Sequence, residues 1–584
     1  MQALTGFGLV FALCGRVDAA AAAAAAAVAS CRNIPGDPGW PSPADWAQLN
    51  KTVRGQLIAT IPQASVCHTG SYSDYDETAC QALRDGHDTD RLVYSEPHPA
   101  GVMNGYYQNQ SCDPFTPTSQ PCVLGNYAVY SINVTGADDV IAGIKFAKEK
   151  NIRLVVKTTG HDYKGQSTGK GALALWMWNL KTTEIITNYK SSGYSGPAIK
   201  LGSGTIGGEA LTVARDAGYR LVSGECGSVG VASGYTQGGG HSMLNSAYGM
   251  AADQVLEWEV VTATGEHLIA TPTKNTDLYW ALCGGGGGTY GVVLSMISKI
   301  YPDGPVAGGT LAFQNTDPTA YWEAVSLWIQ YAPTLVRQNN TIIYLIFDNV
   351  FEALAITLPG QPVSAVSDLL TPYLAQLARL NITHSLTTTH SSTYHDHFNT
   401  YFGPLPYGAS SPTTILHNHI IPRSITSSPN ATANLVTAYR ETVKDNKFLI
   451  GCLVFDVSNA THPPNAVLPA WRGSSTSCNV NAFWNFSASA RGDNLARKLD
   501  LVERVVPAIE KATPGGGVYL NEMDPWYKGD WKRMLFGENY ERLSRVKKRY
   551  DPANVFWGNF SVGSDKFEID GAGRLCPVGG RGRC

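Results

Sequence analysis

A histidine inside a glycine-rich loop is the first feature of this sequence that could do chemistry. The loop, residues 159–167, reads Thr-Gly-His-Asp-Tyr-Lys-Gly-Gln-Ser and follows the apolar strand pattern of residues 152–156. Backbone N–H groups and hydroxyls at the end of a strand suit a phosphate-bearing ligand, and Lys157 and Lys164 add positive charge. A phosphate site needs no imidazole, so His161 predicts a second kind of chemistry.

Two further glycine-rich stretches follow. Residues 223–241 place one cysteine, Cys226, among glycines and other small residues, and residues 284–288 are five consecutive glycines. Glycine is needed where the backbone must lie close against a flat or bulky ligand. Three such turns between Val- and Ile-rich strands predict an extended cofactor and not a lone phosphate.

Composition bounds the class of protein. A chain of 584 residues is too long for one core and predicts two closely joined domains. A hydrophobic content of 43% with 16% charged residues is typical of an ordered globular enzyme. The net charge of −3, without a basic run, argues against nucleic acid as a partner.

The N-terminus predicts export. An apolar run at residues 4–13 precedes nine alanines at residues 19–27, which together indicate a signal peptide within residues 1–30, although no Lys or Arg precedes the run. The run is too short to span a membrane. We therefore expect a secreted, extracellular protein without a membrane anchor.

The cysteines fit an exported protein. Cys14 lies in the predicted signal peptide, and Cys283 beside the glycine run is expected to be a free core thiol. An even subset of the other cysteines should form disulfides, with Cys112 and Cys122, which flank a Pro-rich loop, as the best local pair. Cys226 is set aside for the cofactor, and the nine cysteines from which the disulfides would come are Cys31, Cys67, Cys80, Cys112, Cys122, Cys452, Cys478, Cys576 and Cys584.

Nine Asn-x-Ser/Thr sequons become candidates for N-glycans once export is predicted. They begin at Asn50, Asn109, Asn133, Asn339, Asn381, Asn430, Asn459, Asn485 and Asn559.

The order of elements indicates an α+β fold. A strand at residues 126–133, a helix at 138–150 and a strand at 152–156 form a β-α-β start, preceded by a helical stretch from about Pro43 to Leu57. The sequence at residues 302–305, Pro-Asp-Gly-Pro, breaks any regular element. Alternating strands and helices over residues 305–515, including a helix at 494–512, predict an antiparallel sheet backed by helices.

These motifs, in this order, resemble the berberine-bridge-enzyme-like flavoproteins of the vanillyl-alcohol-oxidase superfamily, with a p-cresol-methylhydroxylase-type FAD domain, and are most similar to secreted fungal members. The resemblance covers about residues 31–570. It rests on Gly160-His161 with Gly165 and Ser167, Cys226-x-x-Val229-Gly230, Gly238-Gly239-Gly240-His241, Thr289-Tyr290-Gly291-Val292, Tyr519 to Asp524, and Asn539 to Leu543 with Lys547.

The resemblance implies a two-part FAD-binding domain. Residues 31–304, with a core at about 122–304, would form its first part, residues 305–515 an inserted substrate-binding domain, and residues 516–584 a C-terminal segment that completes the FAD domain. It also places the Asn559 sequon near the flavin, which makes a glycan there doubtful.

The resemblance further implies FAD bound through two covalent bonds, from His161 to the flavin 8α-methyl carbon and from Cys226 to flavin C6. The alternatives without cofactor chemistry are that His161 is an ordinary loop histidine and that Cys226 is a buried structural thiol. Gly227 stands where many relatives carry proline, so the turn after Cys226 lacks the constraint that a proline ring would impose. The other expected cofactor-binding residues are Lys157, Thr158, Thr159, Gly160, Asp162, Gly165, Ser167, Val229, Gly230, Gly239, Gly240, His241, Gly291, Val292 and Asn521.

The expected chemistry is hydride transfer from a small-molecule substrate to flavin, with O2 reduced to H2O2. In the family, valine at the position of Val229 is associated with oxidases and leucine with dehydrogenases. Tyr519 to Asp524 match the family strand that meets the flavin, where Glu522 replaces a frequent catalytic tyrosine. Glu522 is either the base or a satisfied structural acid, and Tyr519 either a catalytic group or a packed aromatic residue.

Substrate and acceptor stay open in the sequence. Carbohydrates and secondary metabolites both fit, with secondary metabolites slightly favoured because the family tyrosine is absent. The rival functions are a flavin dehydrogenase with a non-oxygen acceptor and a non-catalytic flavin-binding glycoprotein. No pattern in the sequence indicates an oligomeric state.

Other suggestive patterns predict no metal or nicotinamide site. His-x-His occurs at residues 395–397 and 417–419, with His390 nearby, but no carboxylate or cysteine set completes a recognised zinc spacing. Solvated or cleft-lining polar groups are expected instead. The Gly202, Gly204 and Gly207 pattern lacks a convincing ribose-binding acid at the required spacing.

Overall fold

The structure, a computed structural model, describes residues 30–70, 72, 75–86, 96–408 and 414–579. Residues 1–29 of the predicted signal peptide, with Cys14, and Cys584 lie outside these described residues. Three sheets of four, five and seven strands organise the chain, and the predicted α+β fold is confirmed.

The first sheet contains the predicted β-α-β unit. Its strands are β1 (Leu57–Ala59), β2 (Tyr130–Asn133), β3 (Leu154–Lys157) and β4 (Leu173–Trp176), in the order β1-β2-β4-β3. β2, β4 and β3 run parallel, as a helical crossover requires. The crossover helix Ala137–Glu149 begins with Asp138 and Asp139 in its first turn and buries Val140 and Ile144 against the sheet.

The second sheet is antiparallel. Its strands are β5 (Thr183–Ser191), β6 (Tyr194–Gly202), β7 (Val255–Val261), β8 (His267–Ala270) and β9 (Val292–Lys299), in the order β5-β6-β9-β7-β8. β9, which is mostly apolar, is buried over most of its length and begins at Val292, four residues after the last glycine of the run at 284–288. The sheet core therefore fixes Gly291 and Val292 in place.

The third sheet confirms the predicted antiparallel sheet backed by helices. Its order is β13-β10-β12-β11-β15-β16-β14. The strands are β10 (Val306–Gln314), β11 (Thr341–Ile346), β12 (Val350–Pro359), β13 (His384–Ser391), β14 (Thr414–Pro422), β15 (Leu449–Val454) and β16 (Ser474–Phe483). Helices Pro318–Leu335, Ser364–Arg379 and Pro429–Val443 pack against it.

The remaining α-helices of the described residues are short. They are Pro43–Thr52, Glu77–Asp85, Gly105–Gln108, Gly207–Asp216, Asn245–Tyr248, Thr276–Leu282, Tyr394–Phe402, Arg423–Thr426, Arg491–Asp500, Val506–Ala512, Trp531–Phe536 and Tyr540–Tyr550. Two-stranded ladders join Tyr219–Arg220 to Tyr301–Pro302 and Phe567–Ile569 to Leu575–Pro577.

Two predicted helix bounds need correction. The helix from Pro43 ends at Thr52 and not at Leu57, because Arg54 and Gly55 take left-handed φ angles of 55° and 83° and stop the helix before β1. The predicted helix at 494–512 begins at Arg491 and contains a π-helical turn at Leu501–Val505.

The C-terminal segment returns to the first sheet. Phe556 pairs with Leu154 of β3, and Cys576 forms a disulfide with Cys31. Buried Lys547 donates hydrogen bonds to the backbone oxygens of Thr289 and Phe556. These contacts join the two ends of the chain into one unit, while the boundaries at residues 304 and 515 stay predictions.

The disulfides agree with the cysteine analysis where it made a choice. Cys112 pairs with Cys122, as predicted, and Cys283 is a buried thiol outside any disulfide. The other bonds are Cys67–Cys80 and Cys452–Cys478, the second joining directly opposed residues of β15 and β16. None of the described helices is long and apolar enough to cross a membrane.

Candidate functional site

One cleft brings the three glycine-rich stretches together. Residues 158–164, 224–241 and 287–293 line it, with residues 519–522, 556 and 557 of the C-terminal segment. Its empty space is about 1490 Å³, including its opening to solvent. A Cβ atom at Gly287 would lie 2.9 Å from the Gly234 Cα atom, so glycine allows two of these stretches to meet at the cleft.

Asp162 shapes the first loop. Its Oδ1 accepts hydrogen bonds from the backbone N–H groups of Lys164 and Gly165, and its Oδ2 from the N–H and hydroxyl of Ser167. Gly160 and Gly165 take φ angles of 93° and 74°, which favour glycine. The carboxylate is thus used within the loop, so Asp162 supports the cofactor site through the backbone it orders.

Buried polar atoms without partners mark where a ligand fits. Among the described residues, Lys164 Nζ, Ser203 Oγ and Gln237 Oε1 have no hydrogen-bond partner, and all three residues line the cleft. Burial lowers the pKa of Lys164 to about 8. Unpaired buried polar groups are costly. An anionic ligand rich in hydroxyl groups and acceptors would satisfy them, and these residues therefore fit FAD.

His161 and Cys226 converge on one hydroxyl at the edge of the cleft. Ser228 Oγ lies 2.8 Å from His161 Nε2 and 3.2 Å from Cys226 Sγ. Glu96 Oε1 lies 2.6 Å from the same His161 nitrogen, and the Glu96 side chain is 1% exposed. The two residues predicted to bind flavin covalently are therefore held side by side.

Four of the predicted cofactor-binding residues lie behind the lining. Lys157 Nζ donates to the backbone oxygens of Glu96 and Thr159, and burial lowers its pKa to about 7. Gly165 packs against Tyr107, and Gly239 and Gly240 form the turn before His241. All the other predicted site residues line the cleft.

His241 lies between two carboxylates. Its Nδ1 is 3.0 Å from Glu225 Oε2, and its Nε2 is 3.2 Å from Glu522 Oε1. Burial alone would lower the pKa of His241, but Glu225 and Glu522 together raise it well above its ordinary value. Both ring nitrogens face carboxylate oxygens, which accept hydrogen bonds, so this environment favours the imidazolium form.

The Tyr519 segment is a turn, and its predicted strand is wrong. Glu522 N–H donates to Tyr519 O at 3.0 Å, which closes the turn, and Asn521 Nδ2 donates to Tyr519 OH at 2.8 Å. Asn418 on β14 holds it from the third sheet: Asn418 Oδ1 accepts from Tyr519 N–H, and Asn418 Nδ2 donates to Glu522 Oε2 at 3.3 Å. The turn aims Tyr519, Asn521 and Glu522 at one cleft wall.

Four site residues were missed in the sequence: Glu96, Ser228, Glu225 and Asn418. Ser228 and Glu225 flank Cys226 closely, so their places in the second glycine-rich stretch were a usable signal. Asn418 is the middle residue of His417-Asn418-His419, a motif considered only for its histidines. Glu96 lies in a stretch without a motif.

The histidine pairs do not form a metal site within the described chain. There, the group close enough to hold an ion is Cys31, Asp570 and Cys576, whose two cysteines form a disulfide. His395 contacts Arg215, and His390 is exposed on β13. The expectation of solvated or cleft-lining groups is wrong for His397, His417 and His419, which are buried, so that burial lowers the pKa of all three.

Comparison with known proteins identifies relatives of the whole chain. The FAD binding domain family matches residues 130–271, and the berberine and berberine-like family matches residues 518–563. A bifunctional decalin synthase of Penicillium decumbens is 51% identical over 555 residues, covering 94% of this chain and 96% of that relative. A VAO-type flavoprotein oxidase of Thermothelomyces thermophilus is 48% identical over 550 residues, covering 94% and 95%.

Solved structures of flavoproteins are similar to this chain in fold. The crystal structure of a VAO-type flavoprotein from Myceliophthora thermophila C1, 48% identical, has a TM-score of 0.90 and covers 94% of this chain and 100% of its own. A glucooligosaccharide oxidase from Acremonium strictum, 18% identical, has a TM-score of 0.63, covers 75% of this chain and 91% of its own, and shares the fold.

Proposed function

Because the chain belongs to the berberine-bridge-enzyme-like, VAO-type family of FAD-linked oxidoreductases, we propose that it is a secreted oxidase with bicovalently bound FAD. Its substrate would be a small secondary-metabolite alcohol, and its second product H2O2. The observation that carries the proposal is the convergence of His161 Nε2 and Cys226 Sγ on Ser228 Oγ, at 2.8 and 3.2 Å.

Different residues of the cleft would bind different parts of FAD. His161 and Cys226 would tether the flavin ring, and Lys164 would place its unpaired ammonium against the phosphate groups. Ser203 and Gln237 offer further unpaired groups. When bound, FAD supplies the acceptor for a hydride.

Glu522 is the better candidate for the base. Burial raises the pKa of Tyr519 well above its ordinary value, and the nearby Glu522 adds to the rise, so that this phenol stays neutral. Glu522 is held by His241 at one oxygen and by Asn418 at the other. In this arrangement Glu522 accepts the substrate hydroxyl proton, and the His241 imidazolium keeps the site electrostatically balanced.

The choice of substrate class rests on the relatives. The decalin synthase relative, 51% identical, is named for the formation of a carbon skeleton, which supports a secondary metabolite. The glucooligosaccharide oxidase is similar in fold at 18% identity, which gives no support for a sugar. Val229, half-buried in the lining, supports O2 as the acceptor.

A peroxide-coupled screen tests this function. Purified holoenzyme is offered aryl alcohols, polycyclic alcohols, sugars and amines, with Glu522→Gln as the matched inactive control. The proposal expects peroxide with an alcohol of the secondary-metabolite type and none from the control. Fast flavin reduction followed by slow reoxidation in air-saturated buffer would instead indicate a dehydrogenase. A yellow protein whose flavin none of these substrates reduces would indicate a non-catalytic flavin-binding glycoprotein.

Secretion and glycosylation are tested separately. Expression in a fungal host should place the mature protein in the medium with its signal peptide removed, and endoglycosidase treatment should reduce its mass. The Asn559 sequon is expected to stay unmodified, because its side-chain amide donates to Lys164 O and Tyr107 OH inside the fold. Intracellular retention would contradict export.

A further inference from the structure

Glu96 is a buried carboxylate whose described contact is with His161. Glu96 Oε1 lies 2.6 Å from His161 Nε2, at 1% exposure of the Glu96 side chain. Neither oxygen has a hydrogen-bond donor in the described part of the chain, so the contact with His161 is a close charge contact and not an aligned hydrogen bond. A buried carboxylate without donors is costly, so its contact with the histidine needs an explanation.

A purely structural role for Glu96 fits these contacts poorly. Lys157 donates to the backbone oxygen of Glu96 at 2.9 Å and to the backbone oxygen of Thr159, and it acts on the carboxylate through charge alone, without a hydrogen bond or ion pair between them. A structural ion pair would place the ammonium on the carboxylate. The carboxylate instead faces the imidazole.

The contact decides which ring nitrogen of His161 carries a hydrogen. A carboxylate oxygen 2.6 Å away repels a nitrogen lone pair, so Nε2 carries the ring hydrogen, and in the tautomer with one N–H the lone pair is on Nδ1. His161 Nδ1 makes no hydrogen bond with a described residue, whereas Nε2 faces both Glu96 and Ser228. The ring is thus arranged with one nitrogen held and the other available.

We infer that Glu96 activates His161 for its attachment to the flavin 8α carbon. Glu96 fixes the tautomer that makes Nδ1 the nucleophile and takes the Nε2 proton as the bond forms. The inference rests on the proposed covalent attachment through His161. Glu96 acts through His161 and is a positioning and proton-accepting residue for the modification, outside the oxidation of substrate.

The step balances with dioxygen as oxidant. A bond forms between His161 Nδ1 and the 8α carbon, and one C–H bond of that methyl group breaks, its hydrogen leaving as a proton. The electron pair of the broken bond reduces the flavin ring, and the His161 Nε2 proton passes to Glu96. Dioxygen then takes two electrons and two protons from the reduced flavin and becomes H2O2.

Peptide mapping of the Glu96→Gln variant tests the inference without measuring activity. Trypsin releases His161 in the peptide 158–164 and Cys226 in the peptide 221–274. In the wild type, one flavin should join the two peptides. In Glu96→Gln, the flavin should remain on peptide 221–274 alone, and linkage to His161 during incubation with excess FAD in air should be on the order of 10²-fold slower.

Glu259→Gln is the matched control. It makes the same chemical change beside a histidine outside the cleft, His267, whose Nε2 lies 2.9 Å from Glu259 Oε1, and should leave the cross-linked fraction at the wild-type level. Equal cross-linking in Glu96→Gln and wild type would overturn the inference about Glu96 and leave the proposed function standing. A wild type that carries no peptide-bound flavin would overturn the covalent part of the proposed function.

Glu96→Asp covers the case in which Glu96→Gln does not fold. The aspartate keeps a carboxylate but withdraws it by about one C–C bond, about 1.5 Å. The His161 cross-link should then be incomplete in freshly purified protein and grow during incubation with FAD. A complete cross-link from the first sample onward would overturn the inference.

Discussion

His161 and His241 lie on the same cleft, but their imidazole rings are held in opposite ways. At His161 one nitrogen faces Glu96 and Ser228, and the other has no described partner. At His241 both nitrogens face carboxylates, those of Glu225 and Glu522. The first arrangement leaves a nucleophilic lone pair, whereas the second produces a cation that cannot attack carbon.

The difference teaches that the partners of an imidazole, more than its burial, decide its chemistry. Both rings are mostly buried, His161 at 12% and His241 at 18% side-chain exposure. One carboxylate fixes a tautomer, and two fix a charge. The comparison assigns tethering of the flavin to one edge of the cleft and proton handling to the other.

Glu522→Gln has the largest expected effect, because it should remove proton transfer at the His241 edge of the cleft and leave flavin attachment at the His161 edge unchanged. The amide keeps the size of the side chain but cannot accept the substrate proton, so the rate of flavin reduction should fall by on the order of 10²–10⁴-fold. Anaerobic stopped-flow measurement of flavin absorbance gives this rate. The covalent peptide pattern should not change. A reduction rate close to that of the wild type would move the base elsewhere.

Lys164→Met sharpens the comparison, because Lys164 is a buried cation with no described anion on its ammonium. In a His161→Ala/Cys226→Ala background, where FAD can be removed, the FAD dissociation constant should rise by about 10- to 100-fold, as expected for a lost charged hydrogen bond. Equilibrium titration of flavin fluorescence measures it. Unchanged affinity would place the phosphates away from Lys164.

The same substitution should stabilise the apoprotein. The folded-state pKa of Lys164, about 8, lies below that of an unfolded lysine, about 10.4. The penalty for burying the ammonium is therefore full below about pH 8 and disappears as the pH rises toward the unfolded value. Denaturant unfolding at pH 7 should show Lys164→Met more stable by roughly 1–2 kcal/mol, with the difference shrinking above pH 8.

Ser228→Ala tests the role of the hydroxyl group that contacts both His161 and Cys226. Removing the hydroxyl between His161 Nε2 and Cys226 Sγ should slow both attachments by about tenfold, because a single neutral hydrogen bond is lost at each. Peptide mapping over time gives both rates. Slowing at the Cys226 end alone would mean that Glu96 holds His161 without Ser228.

Glu225→Gln has the smallest expected effect. Because carboxylates raise the folded-state pKa of His241, its stabilisation is complete below the pKa of an unfolded histidine, about 6.5, and is lost as the pH rises through the folded value. The variant should therefore melt about 2 °C lower near pH 6, and the difference should shrink at alkaline pH. A difference independent of pH would contradict the imidazolium.

The sequence was sufficient to predict the residues that line the cleft, but not the residues behind them that hold their side chains in place. His161, Cys226 and the glycine runs are local signals, since they lie in loops that follow apolar strands. Glu96 contacts His161 across a large sequence separation, and Asn418 reaches Glu522 from the third sheet. Such contacts depend on how the sheets pack against each other, which cannot be read from the spacing of residues along the sequence. On β14 the consecutive residues His417, Asn418 and His419 are all buried, and Asn418 hydrogen-bonds to Tyr519 and Glu522 of the cleft turn.

The most direct test of the account is whether flavin stays with the denatured chain. Purified protein is precipitated with acid, the pellet is washed, and flavin absorbance is measured in pellet and supernatant. The account predicts that the colour stays in the pellet for the wild type and for Cys226→Ala, and leaves it for His161→Ala/Cys226→Ala. Release of all the flavin from the wild type into the supernatant would contradict it.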